Sequence, residues 1–122
     1  MRRNKSMGLW ILLLALLLSG CTGDSASARP HTVALVAKST QTEFWLSVFA
    51  GAEAAATEYN LTLSIIGPQT EEDYEAQNQM VADAVADGAQ AIVFSAIDYE
   101  NNAAAIDEAA QAGVEIVAID SS

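Results

Sequence analysis

The sequence predicts a doubly wound α/β fold, a three-layer sandwich in which helices cover both faces of a parallel sheet. Short apolar runs alternate with longer segments of helical periodicity from residue 31 onwards. The runs are apolar at consecutive positions, which is typical of strands that are buried on both faces. Glycine, asparagine or proline stands at most of the boundaries between these segments.

The first half of this region predicts a strand, a helix and a second strand. Residues 32–37 (Thr-Val-Ala-Leu-Val-Ala) form the first apolar run. Residues 43–59 carry apolar side chains at near-helical spacing, and Asn60 suits the end of a helix. Residues 61–66 (Leu-Thr-Leu-Ser-Ile-Ile) form the second strand, which a Gly-Pro pair ends.

The second half predicts two further helix–strand pairs. Thr70, with Asp73 three positions later, favours a helix start and places a helix over residues 71–86 that Gly88 ends. A strand, a helix closed by glycine and a last strand follow at residues 91–94, 101–112 and 114–119. Right-handed crossovers between parallel strands make this a doubly wound sandwich, for which we expect the strand order 2-1-3-4.

The sequence stops directly after the fourth predicted strand, without a helix to cover that edge of the sheet. Open parallel sheets rarely end in this way, because an uncovered apolar edge invites aggregation. We therefore expect residues 31–122 to be the front part of a longer domain. The alternative is a complete four-stranded mini-domain.

The first 20 residues have the organisation of a secretion signal. Three basic residues precede the apolar run 9–18, and Ser19-Gly20 leads into Cys21, the only cysteine. The run is shorter than the roughly 20 residues of a membrane-spanning helix. Leu18-Ser-Gly-Cys21 resembles the bacterial lipoprotein cleavage box, which implies lipidation of Cys21. The alternative is a chance cysteine after an ordinary signal peptide.

Composition separates a tether from an acidic folded region. Residues 21–30 are small and polar without periodicity, which predicts a flexible tether between the anchor and the fold. Without residues 1–20 the chain keeps two basic and 16 acidic residues, a net charge of −14. Such a surface repels phosphate backbones and anionic headgroups, so nucleic acid is not a predicted partner. Membrane attachment then depends on the lipid.

The sequence offers little support for catalysis. The segment after the first strand lacks glycine, which excludes both the dinucleotide fingerprint and a phosphate-binding P-loop. Ser95 lacks the flanking glycines of a nucleophile elbow. His31 is the only histidine, and no His/Cys cluster suits zinc. We therefore predict no enzyme, no cofactor and no metal.

In open α/β sheets, ligands bind outside the carboxyl ends of the strands. The segments there carry hydroxyl, carboxylate and aromatic side chains, which suit a neutral, hydroxyl-rich small molecule. The candidate ligand-binding residues are Ser39, Thr40, Phe44, Trp45, Asp98 and Asp120.

Each of these residues also has a purely structural interpretation. Phe44 or Trp45 can pack on the sheet at the start of an amphipathic helix. Asp98 suits a helix N-cap, and Asp120 can cap a turn. The hydroxyls after the first strand can simply satisfy loop backbone groups.

Several segments together carry a family resemblance. They are Val33–Thr40, Phe44-Trp45, Gly51–Ala56, Gln77–Asp83, Ala91–Phe94 and Gly113–Asp120. From His31 to the end, the chain resembles the first lobe of type I solute-binding proteins, nearest to the ribose-binding-like proteins of sugar ABC importers. The resemblance implies two lobes that close on a ligand, of which residues 31–122 supply the first.

The resemblance also implies site residues. Ribose-binding-like proteins have an Asn-Pro-Phe-Phe-type segment after the first strand, where this chain has Thr42-Glu-Phe-Trp45. Their fourth strand ends in Asp-Arg, where this chain has Asp120-Ser121. Thr42 and Ser121 thus join the candidate ligand-binding residues. The departures put ribose itself in doubt.

Three functions follow as hypotheses. The first is a lipid-anchored receptor that delivers a sugar or polyol to the membrane permease of an ABC transporter, at the cell surface or in the periplasm. The second is a sensor of the same fold that signals to a membrane histidine kinase or chemoreceptor. The third, a regulator of the lactose-repressor type, requires a DNA-binding helix-turn-helix before the first strand, where this chain has a signal peptide.

Overall fold

The computed structural model describes residues 29–120. The predicted signal peptide, lipidation at Cys21, most of the tether and the candidate site residue Ser121 lie outside the described residues. Within residues 29–120 strands and helices alternate in the predicted order. They are β1 (Thr32–Val36), α1 (Glu43–Glu58), β2 (Thr62–Ile66), α2 (Tyr74–Ala86), β3 (Ala91–Phe94), α3 (Tyr99–Gln111) and β4 (Glu115–Ala118).

The strands form one parallel sheet in the order β2-β1-β3-β4, which confirms the predicted fold class and strand order. Val36 at the end of β1 pairs with Ile66 of β2 and with Phe94 of β3, and Phe94 in turn pairs with Ala118 of β4. All four carboxyl ends therefore lie along one edge of the sheet.

Each face of the sheet has its own apolar core. Successive side chains of β1 point to opposite faces, so Ala34 and Val36 join the core under α2 and α3, while Leu35 joins the core under α1. On the α1 side, Trp45 and Phe49 lie one helical turn apart and pack on β1. Burying a large apolar side chain in this way contributes about 1.5–3 kcal/mol.

The starts of two helices differ from the prediction because aspartates cap them. The helix predicted from residue 71 begins at Tyr74, since the Asp73 side chain accepts a hydrogen bond from the backbone N–H of Ala76 at 2.9 Å. Thr70 lies in a bend ahead of this helix, so the prediction that it caps the helix was wrong. The helix predicted from residue 101 begins at Tyr99, directly after Asp98.

The predicted helix ends are confirmed. Gly88 and Gly113 follow α2 and α3 with φ angles of 88° and 90°, and Asn60 follows α1 with a φ of 53°. These left-handed conformations are favourable for glycine and tolerated by asparagine, which is why these residues end helices.

At the outer strand β4, part of the sheet stays open in the described part of the chain. Ile116 packs into the core under α3, while Val117 points to the opposite face and is 50% exposed. Among residues 29–120, no helix is long and apolar enough to cross a membrane.

Candidate functional site

The loops that follow the strands form a continuous surface, which we call the strand-end edge: residues 37–42 after β1, 67–73 after β2, 95–98 after β3, and 119–120 after β4. Backbone hydrogen bonds join these loops to one another and to the strands. Thr40 N–H donates to Pro68 C=O at 3.1 Å, and Ile119 N–H donates to Phe94 C=O at 2.9 Å. The strand-end edge is therefore attached to the sheet by backbone hydrogen bonds.

The first two loops approach each other closely at Gly67. A Cβ atom at this position would lie 3.0 Å from the carbonyl oxygen of Ala37 and 3.3 Å from Cγ2 of Thr40. Only a residue without a side chain fits there without movement of the β1 loop.

The hydroxyl groups of the loop after β1 form hydrogen bonds with neighbouring groups of the protein. Ser39 is buried, and its Oγ donates to the carbonyl of Gln69 and accepts from the N–H of Gln41, both at 3.1 Å. Thr40 Oγ1 accepts from the side-chain amide of Gln41 at 3.1 Å. Thr42 is the N-cap of α1, with Oγ1 accepting from the N–H of Trp45 at 3.4 Å. These contacts agree with the structural interpretation of the three residues.

The two aromatic candidates differ in their surroundings. Trp45 is 1% exposed, and its Nε1 donates to a carboxylate oxygen of Glu71 at 2.8 Å. The indole of Trp45 therefore packs on the sheet, in agreement with the structural interpretation of this residue. Phe44 meets Trp45 edge to face, with ring centroids 5.1 Å apart, and is 57% exposed. Of the pair, Phe44 is the ring that can cover the C–H face of a sugar.

Asp98 is engaged in capping α3. Its carboxylate accepts from the N–H groups of Glu100 and Asn101, at 3.1 and 2.9 Å, and from the side chain of Asn101 at 2.9 Å. The hydrogen bonds from Asn101, backbone and side chain, lower the pKa of Asp98 below its usual value, since they stabilise the charged form.

An ion pair joins the ends of β1 and β4 across β3. Lys38 Nζ lies 3.5 Å from a carboxylate oxygen of Asp120, with 18% of the lysine side chain and 47% of the aspartate side chain exposed. Asp120 has a φ of 48°, a left-handed conformation that aspartate tolerates better than most residues. An ammonium donor and a carboxylate acceptor thus meet at the centre of the strand-end edge.

Sequence reasoning missed Lys38 as a candidate. One signal was available, because Lys38 is the only lysine or arginine after Arg29 in a strongly acidic chain. A single cation at a strand end in such a chain points to a partner carboxylate or a ligand.

Two buried amides were also missed as parts of the site. Gln77 of α2 is fully buried, and its Nε2 donates to the carbonyls of Ala37 and Ser95, at 2.9 and 2.7 Å, while its Oε1 accepts from the N–H of Ile97 at 3.0 Å. The signal for Gln77 was a polar residue on the apolar face of a predicted helix, in line with Val81 and Ala84.

The second amide, Asn102 of α3, fixes the same loop from the other side. Its Oδ1 accepts from the N–H of Asp98 at 3.0 Å, and its Nδ2 donates to Oδ1 of Asn78 at 2.6 Å and to the carbonyl of Tyr74 at 3.3 Å. The loop after β3 is therefore held from both helices that cover it.

The strand-end edge carries hydrogen-bonding groups of both kinds, and the exposed ring of Phe44 adjoins it at the start of α1; together these groups suit a polyol. Residues 29–120 contain no cluster of His, Cys, Asp and Glu suited to hold a metal ion.

Comparison with known proteins agrees with this geometry. A family model of the periplasmic binding protein domain matches residues 33–122, so the chain belongs to this family. The family is one of binding proteins. No curated protein matches the sequence.

Three solved structures illustrate the similarity. A sugar transporter from Clostridium phytofermentans is 31% identical (TM-score 0.70; 75% of this chain and 34% of that chain covered). A carbohydrate transporter solute-binding protein from Agrobacterium radiobacter in complex with D-arabinose is 30% identical (TM-score 0.69; 76% and 31%). An ABC transporter periplasmic solute-binding protein from Actinobacillus succinogenes with bound D-allose is 26% identical (TM-score 0.70; 74% and 32%). The chain spans about a third of the length of these structures.

Proposed function

We propose that the protein is an extracytoplasmic receptor that binds a sugar or a sugar-like polyol at the strand-end edge and delivers it to the permease of an ABC importer. The observation that carries this proposal is the ion pair between Lys38 and Asp120. It stands where ligands bind in open α/β sheets.

The chemistry of the pair suits a neutral polyol. A carboxylate can accept hydrogen bonds from two hydroxyls, and an ammonium group can donate to a hydroxyl or a ring oxygen. Because the two charges compensate each other, a neutral ligand leaves no net charge buried at the site. The exposed ring of Phe44 adds an apolar surface for the C–H face of a sugar.

The comparisons support the ligand class and the partner. Solved structures similar to this chain include a carbohydrate transporter solute-binding protein with D-arabinose and an ABC transporter periplasmic solute-binding protein with D-allose. By analogy, the strand-end edge forms one side of a binding cleft, and the other two thirds of such a protein supply the other side. Binding and release, without bond chemistry, is then the function.

The amino-terminal sequence supports membrane attachment on the outer side. The basic leader, the apolar run and Leu18-Ser-Gly-Cys21 suit export followed by lipidation of Cys21. Diacylation gives stable anchoring where a single acyl chain binds only marginally. Residues 21–30 would then tether the receptor near the permease, which raises its effective concentration there.

A ligand panel tests the binding function. The unfolding temperature of the full-length protein is measured with pentoses, hexoses, inositols and nucleosides, and with amino acids and short peptides as controls. A ligand that binds only the folded state stabilises it by about 2.7 kcal/mol at a concentration of 100 times Kd. We expect a sugar or polyol to raise the unfolding temperature. A shift with amino acids or peptides alone would refute the sugar assignment.

A further inference from the structure

We propose that Gln77 is a positioning residue for the ligand-binding edge, which fixes the end of β1 against the end of β3. The inference rests on the proposed function, in which the groups at these strand ends bind the ligand. Gln77 lies in α2, and its side chain reaches two loops that are far from it in sequence. Its amide contacts Ala37 after β1 and both Ser95 and Ile97 after β3.

The amide of Gln77 is fully used in these contacts. Both N–H bonds of Nε2 are donated, to the carbonyls of Ala37 at 2.9 Å and Ser95 at 2.7 Å, and Oε1 accepts from Ile97 at 3.0 Å. The side chain is 0% exposed, so water does not substitute for it. A residue without this amide leaves two carbonyls and one N–H unsatisfied in a buried place, which forces the loops to move.

Movement of these loops changes the separation between the charged groups of the site. Ala37 directly precedes Lys38, so the Gln77 contact fixes the backbone from which the ammonium group extends. Ser95 directly follows Phe94. The carbonyl of Phe94 accepts a hydrogen bond from the N–H of Ile119, which holds the end of β4 against the end of β3. Gln77 thus acts on the spacing between Lys38 and Asp120, although it touches neither side chain. A binding site loses affinity for its ligand when its binding groups move from their productive positions by about 0.5 Å or more.

Val81 provides the matched control for this role. It lies one turn further along α2, is 1% exposed and packs in the same apolar core, and its side chain has no polar group. Val81→Ala therefore weakens the apolar packing of α2 on the sheet and leaves the hydrogen bonds from Gln77 to both loops in place. A purely structural Gln77 would behave in the same way as Val81.

The experiment compares Gln77→Leu and Val81→Ala in the full-length protein. Gln77→Asn is the milder variant, since its amide is one methylene too short to span both loops, and it serves if the leucine variant does not fold. Affinity for D-arabinose, D-allose and D-ribose is measured by calorimetry, and stability by urea unfolding. We expect both substitutions to lower stability, while only the Gln77 variants weaken sugar binding, by about tenfold or more. Unchanged affinity in the Gln77 variants, or equal loss in Val81→Ala, overturns the proposal.

A second readout separates this inference from the proposed function. If the unmodified protein binds none of the three sugars, amide hydrogen exchange in the ligand-free protein decides the positioning role alone. We expect Gln77→Leu or Gln77→Asn to accelerate exchange in residues 37–41 and 95–98 by about tenfold relative to Val81→Ala. Equal exchange in these loops contradicts the positioning role.

Discussion

Asp98 is a carboxylate at the strand-end edge whose hydrogen-bonding capacity is used by backbone N–H groups. It accepts two backbone N–H groups at the start of α3 and the side-chain amide of Asn101. These bonds favour the charged form, so the pKa of Asp98 is lower in the folded protein than in the unfolded chain. The capping role therefore links this carboxylate to the pH dependence of stability.

The first prediction concerns Asp98→Asn, which retains a good N-cap and cannot titrate. Because the folded pKa of Asp98 is depressed, its charged form stabilises the wild type above the unfolded pKa, and this contribution disappears as the pH falls through the folded pKa. The difference in unfolding free energy between wild type and Asp98→Asn should therefore be constant above about pH 5 and shrink as the pH falls further, through the lowered pKa of Asp98.

Urea unfolding of both proteins across this pH range measures the difference, with Asp98→Ala as the control that removes the cap altogether. We expect Asp98→Ala to be less stable than Asp98→Asn at every pH. A difference between wild type and Asp98→Asn that does not vary with pH would show that Asp98 is not the titrating group.

The site residues show where sequence reasoning reaches its limit. Hydroxyls and carboxylates at strand ends were identified from their position alone, because the fold brings strand ends together. Whether a side chain faces the ligand or the interior depends on its rotamer and neighbours. The partner of Trp45 is Glu71, 26 positions away, and no local pattern indicates that pair. The same applies to Lys38 and Asp120, which meet across a whole strand.

At the scale of the elements, the loops after β1 and β2 can approach each other because Gly67 has no side chain. Gly67 leaves room for the carbonyl of Ala37, whereas Gly51 lies exposed in the middle of α1 with no atom near the position of a Cβ. The two glycines therefore provide opposite tests of the fold.

The second prediction compares Gly67→Ala with Gly51→Ala. The first should destabilise the protein by about 1–3 kcal/mol, because the added methyl forces backbone to move. The second should stabilise it by about 0.5–1 kcal/mol, because alanine is the better helix former and meets nothing. Urea unfolding measures both changes, and a shift of the same sign in both variants would contradict the close approach of Gly67 to the loop after β1.

The elements themselves were largely predictable. Consecutive apolar residues identified the strands, and glycine or asparagine marked the helix ends, since both signals act locally. The start of α2 was misplaced by three residues because Thr70 and Asp73 both suit an N-cap, and the carboxylate of Asp73 is the one that accepts the N–H of Ala76. Competition between neighbouring caps is decided by the path of the loop, which the sequence does not display.

At the scale of the whole molecule, charge and anchoring act together. The region after Cys21 carries a net charge of −14, so it has no electrostatic attraction to anionic membranes. Under the proposed function, attachment then depends entirely on the lipid at Cys21.

The third prediction is that Cys21→Ser abolishes lipidation and releases the protein from the membrane fraction. Palmitate labelling and fractionation of cells measure the two effects, and sequencing of the amino terminus shows whether the leader was cleaved. Lys5→Gln, which leaves the cleavage box intact, serves as the control. Palmitate labelling of a cleaved Cys21→Ser protein would contradict the assignment of Cys21.

The central claim is that the strand-end edge binds a sugar through the pair of Lys38 and Asp120. Calorimetric titration of the full-length protein with the best sugar of the panel, compared between Asp120→Asn and Glu115→Gln, tests it most directly. Both substitutions remove one negative charge from β4 or its end, but Glu115 is exposed at the opposite end of the strand. We predict that Asp120→Asn weakens binding by about tenfold or more while Glu115→Gln leaves it unchanged. Equal affinity of the two variants for the sugar would contradict the account.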